Sequence, residues 1–222
     1  MDYYSQIQDY FNLNNILINE TQLTLLSNYA QLLKEKNEII NLISRKDTDN
    51  IIENHIFHSL LLTKYITENE FNFIDIGTGG GLPGIPIGIY YNNSKGVLVD
   101  SISKKINAVN EFIDKLNLSN IKGICTRVED KNFIKQYENY FDVMISRAVA
   151  PLIDLIKYFL PVSKAVSKMY FLKGGSLVEE ISLAKKKYSK YITNLEILNL
   201  NYKPNNIDNE KEKKIIILGI KK

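Results

Sequence analysis

One cysteine, Cys125, is all the thiol this chain carries. That excludes an internal disulfide and any zinc site built on several thiolates. Apolar runs long enough to cross a bilayer are missing, as is a secretory leader, so the chain is expected to be soluble and cytoplasmic. Unbalanced charge is also scarce: 28 Lys and Arg face 25 Asp and Glu, a net of +3. This permits a nucleic-acid partner without demanding one, since dedicated electrostatic binders are more basic. No repeat or low-complexity linker is evident. Apolar material is plentiful, 45% of 222 residues, enough for one sizeable domain with an appendage or for two small ones.

Residues 1–70 lack strand alternation and carry helical spacing. Leu26, Tyr29, Leu33, Ile40 and Ile43 form an apolar stripe on a helix expected over 21–44, entered through a cap-like pair, Asn19 and Gln22. Such a stripe is more often core than interface. A second helix is expected after Asp47, with Ile52, Ile56 and Ser59 on one side and both histidines of the protein, His55 and His58, along it. Three residues apart, the two rings are neighbours on a helix surface, but no H-E-x-x-H pattern or companion cysteine joins them. They are read as hydrogen-bonded helix histidines at a domain junction, and no metal is assigned.

From residue 72 short apolar segments alternate with helical ones. Strands are expected at 72–76, 96–100, 121–125, 141–146, 168–172, 194–200 and 214–220, and helices at 83–92, 103–116, 151–160 and 177–191. Such alternation implies right-handed βαβ units and a mainly parallel sheet. The polar stretch Lys203 to Lys213 is too short for a crossover helix, so the last two strands should close as an antiparallel hairpin. The run Lys185-Lys186-Lys187 reads as a solvated helix face.

The most informative stretch is Phe73 to Ile87: an apolar run, a carboxylate, a glycine-rich turn and a helix start at Pro83. Without ligand chemistry it would be a tight strand-to-helix turn, but five glycines between Gly77 and Gly84 favour a backbone built to approach a ligand. Gly79, Gly81 and Gly84 satisfy the dinucleotide pattern G-x-G-x-x-G, a weak match in so glycine-rich a run. Asp75, Gly77, Gly79 and Gly81 satisfy the acid-first pattern of S-adenosylmethionine (SAM) enzymes, whose ligand is a cation without phosphate. Asp75 would suit that ligand and repel a pyrophosphate.

Ligands in open α/β sheets bind outside the carboxyl ends of the strands. After strand two stands Asp100, placed to accept from a ribose diol. After strand three, Val128 and Glu129 are placed to frame an adenine edge, although an exposed loop acid is the plainer reading of Glu129 alone. Arg147 ends strand four and Lys173 strand five, two cations suited to a polynucleotide. No Asn/Asp-Pro-Pro-aromatic turn follows strand four, against exocyclic-amine methylation. Cys125 sits inside strand three without a motif, against cysteine-dependent C5 methylation. No catalytic acid or base is assigned.

With these residues in view, the sequence resembles the bacterial ribosomal RNA small subunit methyltransferase G family (RsmG, also called GidB). The carriers are Asn41-Leu42, His55-x-x-His58-Ser59-Leu60, the run from Asp75 through Gly-Leu-Pro-Gly-Ile-Pro, Asp100-Ser101, Arg127-Val-Glu, Ile145-Ser-Arg-Ala and Leu172-Lys-Gly. The resemblance implies a Rossmann-like SAM-dependent methyltransferase fold, with a seven-stranded, mostly parallel sheet and helices on both faces. Residues 71–222 would form it, preceded by a helical extension over 1–70. It also implies methyl transfer from SAM to N7 of a guanine in 16S rRNA, free or in the small subunit, by a monomer without metal or membrane contact. SAM contacts carried over by resemblance are Gly77, Leu82, Val128, Glu129 and Arg147. Two departures stand out: the family often has Pro or Ala where Gly80 stands, which should loosen the turn, and usually Asp where His58 stands. A nicotinamide-dependent oxidoreductase and a non-catalytic RNA-binding module are the competing readings.

Overall fold

A computed structural model describes residues 2–147, 150–175, 177–203 and 213–222. Its seven strands are β1 (Asn72–Ile76), β2 (Lys95–Asp100), β3 (Ile121–Cys125), β4 (Phe141–Arg147), β5 (Ser163–Gly174), β6 (Ile192–Asn199) and β7 (Lys213–Lys221). They form one sheet in the order β3-β2-β1-β4-β5-β7-β6. The pairings from β3 to β5 are parallel, while β7 runs antiparallel between β5 and β6. The antiparallel closure expected at the end of the chain is therefore present. Ala148, and all of the polar connection between Lys203 and Lys213 except its two ends, lie outside the described residues.

Alternation along the central strands assigns each face its own core. On one face, Phe73, Leu98, Ile145, Tyr170, Leu172 and Ile215 pack in a cluster that includes Ile7, Phe11, Leu26, Tyr29, Leu33, Ile56 and Phe57 from the N-terminal helical segment. The helices α1 (Tyr3–Leu13), α2 (Glu20–Ile39), α4 (Gly84–Tyr90) and α5 (Ser103–Lys115) belong to this side. On the other, Ile74, Ile76, Val99, Met144, Phe171 and Ile216 meet α6 (Lys131–Gln136), α7 (Leu152–Phe159) and α8 (Val178–Tyr188). Lys185, Lys186 and Lys187 are exposed, between buried Ala184 and Tyr188.

Three expectations need correction. Helix α2 has the capping box read from Asn19 and Gln22 but ends at Ile39, short of the expected 44. Asn37 stops it: its side-chain oxygen accepts from the N–H groups of Leu42 and Ile43, an alternative to the helical ladder. The expected helix after Asp47 is instead a 3₁₀ turn at Arg45–Asn50, a π-type turn at Ile52–Phe57, one α-helical turn α3 (His58–Leu60) and another 3₁₀ turn at Leu61–Lys64. Strand β5 begins at Ser163, not 168: Ser163 pairs with Phe141 of β4, that ladder then shifts register, and Val166 to Lys168 are carried by β7. Helix α6 has no counterpart in the sequence reading; six residues capped by Asp130 give too short a period to recognise.

Candidate active site

The glycine turn is held from beneath. Gly77 and Thr78 donate their N–H groups to the Val99 carbonyl at 2.8 and 3.0 Å, and Gly79 donates to Asp100 Oδ2 at 3.1 Å. Gly77, Gly79 and Gly81 all have positive φ (73°, 58° and 96°), a conformation costly for side chains with a Cβ. Gly84 serves another need: a Cβ there would stand 2.6 Å from Leu98 Cγ and 2.7 Å from Asp75 Oδ2. Gly80 packs where a Cβ would meet Leu33 and Leu42 at 3.1 Å, and its carbonyl accepts from Tyr29 Oη at 2.8 Å. Gly80 thus does not loosen the turn; it lets α2 close on it.

Asp75 plays a different part from the one its pattern implied. Its side chain is fully buried, and Oδ2 accepts from Thr78 Oγ1 at 2.6 Å and from the Gly84 N–H at 2.9 Å. The carboxyl ties both ends of the turn together instead of facing a ligand. Burial outweighs those hydrogen bonds and the nearby Arg147 charge, raising its pKa to about 7.

Beside the turn, at the carboxyl ends of β1, β2 and β3, opens a cleft of about 440 Å³. Gly77, Asp100, Val128 and Glu129 line it together, as the strand-end argument required. Val128 is buried and Glu129 exposed, with Arg127 Nη1 3.7 Å from Glu129 Oε1. Asp100 is already engaged, Oδ1 accepting from the Ile102 N–H at 2.9 Å. Lys105, Thr126 and Tyr158 also line the cleft and were missed. Tyr158 left a signal: on α7 the buried residues are Leu152, Leu155, Ile156 and Phe159, so it is an aromatic off the apolar stripe. Gly81 and Leu82 are buried in the turn. Cys125 is exposed at the end of β3, its Sγ donating weakly to the Ser101 carbonyl at 3.8 Å.

The two strand-end cations are not free. Arg147 turns toward the N-terminal helical segment, its Nη1 donating to the Asn54 carbonyl at 3.2 Å. Burial lowers its pKa, while Tyr29, Asp75 and Asp47 oppose that shift; arginine remains a cation. Lys173 is paired with Glu180 and donates to the Ala150 carbonyl at 2.8 Å, while Glu180 also accepts from the Leu152 N–H at the start of α7. Lys173 therefore braces the loop after β4 and is not an open RNA contact.

The histidines are not hydrogen-bonded as expected: Nδ1 and Nε2 of His55 and Nε2 of His58 are buried without a partner. Burial, with Arg147 and Lys213 nearby, lowers the His55 pKa to about 3 and drives that of His58 well below its ordinary value. Asp47 Oδ2 stands 3.8 Å from His55 Nε2, a contact with a neutral ring. Among the described residues, no group of three or more His, Cys, Asp or Glu is placed to hold a metal, and no helix is long and apolar enough to cross a membrane.

Residues 22–207 match the model of a family described as rRNA small subunit methyltransferase G. Curated proteins named ribosomal RNA small subunit methyltransferase G are similar over most of their length. The one from Pelodictyon phaeoclathratiforme is 43% identical over 162 residues, 72% of this chain and 69% of that protein. The one from Chlorobaculum tepidum is 41% identical over 175 residues, 77% of each. Among solved structures, M. jannaschii TYW2 in complex with AdoMet has a TM-score of 0.57 at 12% identity, covering 82% of this chain and 78% of that one. An rRNA methylase from Streptococcus thermophilus has a TM-score of 0.53 at 12% identity, covering 75% and 95%. At that identity the two structures speak for the fold.

Proposed function

We propose, from the premise that this chain belongs to the rRNA small subunit methyltransferase G family, that it transfers a methyl group from SAM to N7 of a guanine in 16S rRNA. The observation that carries this reading is the cleft that Gly77, Asp100, Val128 and Glu129 line beside a positive-φ glycine turn. The residues fit the cofactor. Backbone without Cβ atoms leaves room for a close approach, Asp100 would accept from a ribose hydroxyl, and Val128 and Glu129 would frame an adenine edge. When bound, SAM supplies a methyl carbon made electrophilic by its sulfonium. Family membership sets aside the nicotinamide reading, for which the cleft also lacks an evident hydride-handling partner.

Guanine N7 carries an exposed lone pair at neutral pH, so this chain need not remove a proton from its nucleophile. What its residues contribute is placement. Asp75 and Asp100 fix the turn, Arg147 fixes the end of β4 against Asn54, and the Lys173–Glu180 pair fixes the start of α7. Positioning of this kind accounts for up to about 7–11 kcal/mol of a barrier when the reacting atoms are well aligned. N7 lies on the major-groove edge, which is deep and narrow in an A-form helix, so the target belongs in a loop, bulge or distorted pairing. The enzyme is read as a cytoplasmic monomer needing no metal.

Labelled SAM, incubated with small subunits or naked rRNA from cells lacking the modification, tests this reading. The label is expected at a guanine that becomes cleavable by aniline after reduction. Label on an adenine, a pyrimidine or protein would overturn the N7 assignment, and no label on any RNA would return the binding-module reading.

A further inference from the structure

Three buried nitrogens without partners, two on His55 and one on His58, need a reason, because nearly all buried polar atoms in folded proteins are hydrogen-bonded. His55 lies on the π-type turn Ile52–Phe57, a distortion that recurs at functional sites. Beside it Asp47 is accessible, its side chain 39% exposed, and its Oδ1 accepts from Asn54 Nδ2 at 3.3 Å. Arg147 reaches the same segment through the Asn54 carbonyl.

The place of this group in the fold matters. The cleft residues Asp100, Val128 and Glu129 stand at or just beyond the ends of β2 and β3, and the glycine turn at the end of β1. In the sheet order, β4 and then β5 come next on the other side of β1. A methyl acceptor therefore approaches over β4 and β5, where Arg147 ends β4 and Lys213 pairs with Gly174 at the end of β5. Arg147 and Lys213 both act electrostatically on His55 and His58. They are matched in number by Asp47 and Glu53, which act back on Lys213. Beside the histidines two cations thus face two carboxylates, while Arg45 and Lys46 are exposed on the turn that carries Asp47, so the inner region is not built around a phosphate. It offers neutral imidazole and carboxylate, which suit a heterocycle.

We propose that Asp47 and His55 form the acceptor-base subsite and read a guanine by its Watson–Crick edge. The carboxylate accepts from N1–H and the exocyclic amine, and the imidazole N–H donates to O6. This deepens the reading of the chain as a guanine-N7 methyltransferase and rests on it. N1 and the amine belong to the six-membered ring and N7 to the five-membered ring, so a base held at the first edge turns N7 toward β1 and β4. Adenine would set an amine against the imidazole N–H and a bare nitrogen against the carboxylate. The base enters past Asp47, and contact with the buried imidazole behind it requires the turn that carries Asp47 to shift on binding.

The test uses the full-length enzyme and small subunits reconstituted with 16S rRNA carrying guanosine or inosine at the target, inosine lacking the exocyclic amine. Wild type is expected to lose about tenfold to a hundredfold in kcat/KM on inosine, the effect of one lost charge-assisted hydrogen bond. D47A, which removes the acceptor altogether, should be at least about tenfold slower on guanosine and treat the two bases alike. H55L should melt no lower than wild type, having lost two unpartnered buried nitrogens, yet fall in kcat/KM. Calorimetric SAM affinity should stay within about twofold for both variants, since neither touches the cofactor cleft. Wild-type kcat/KM in both variants, no inosine penalty in wild type, or a parallel fall of melting temperature and activity in H55L would overturn the subsite. If wild type labels no guanine, the parent reading falls; if wild type and both variants label it equally, only the subsite falls.

Discussion

At Gly84 one added methyl group has no room, with Leu98 Cγ at 2.6 Å and Asp75 Oδ2 at 2.7 Å from the position it would take. Gly84→Ala is expected to cost about 1–3 kcal/mol, the usual penalty of overpacking, and to weaken SAM binding by pushing Asp75 out of the turn. Chemical denaturation and calorimetry on the same variant check this; unchanged stability would show that α4 moves freely from β2. Lys173 calls for the opposite of what its position at a strand end implied. Lys173→Ala leaves partly buried Glu180 without its cation, so the expected loss is about 1–3 kcal/mol of stability, with RNA affinity and its salt dependence unchanged. A filter-binding series across salt concentrations separates the two, a flattened slope restoring Lys173 as a phosphate contact. Both cases mark how far residues are legible in a sequence. Spacing located Asp100, Val128, Glu129, Arg147 and Lys173 at strand ends, because strand ends follow from periodicity. It did not show which way each side chain turns, because Glu180 and Asn54, the partners that turn them, lie 7 and 93 residues away.

The helical segment from 45 to 64 holds the element-scale consequence. Its sequence shows apolar residues at helical spacing, but the local pitch changes three times, and from Ile51 to Leu62 burial on nearly every side overrides the 3.6-residue period. Within it, His55 and His58 are held neutral, their folded pKa values depressed from 6.5. A depressed base contributes stability fully present above the unfolded pKa of 6.5, and lost as pH falls below it because the unfolded chain takes up protons that the folded chain refuses. Asp75 acts the other way: its folded value of about 7 exceeds the unfolded 3.8, so its contribution is present below 3.8 and lost as pH rises to about 7. Between pH 4 and 6 the two histidines oppose the one carboxyl, so net stability from these three groups should fall on acidification. Urea midpoints at pH 6.5, 5.5 and 4.5 measure the slope. Subtracting the same series for His58→Leu isolates one imidazole, and an identical slope in that variant would mean that His58 is already charged in the fold.

At the scale of the whole molecule, strand number, parallel order and antiparallel closure were all legible, because each strand reads as a short apolar run and each crossover as a helix-length segment. What the sequence could not display is how much the N-terminal helical segment belongs to the sheet. Leu26, Tyr29 and Leu33 form a stripe, and nothing in a stripe names the surface it covers. In the structure they share a cluster with Phe73, Leu98, Ile145, Tyr170, Leu172 and Ile215, and Tyr29 bonds to the glycine turn itself. Removing residues 1–70 would uncover the part of that core not covered by α4 and α5, together with the Gly80 side of the turn. Each large apolar side chain returned to water costs about 1.5–3 kcal/mol, so exposing even six of them approaches or exceeds the roughly 5–15 kcal/mol by which domains are stable. The 71–222 fragment is therefore expected to lack a cooperative melting transition and to lose SAM binding, while the intact chain shows both. Differential scanning calorimetry on the two proteins decides it. A fragment that melts cooperatively and still binds SAM would make the N-terminal helical segment an appendage on an independent domain, and its contact with Gly80 dispensable to the cofactor site.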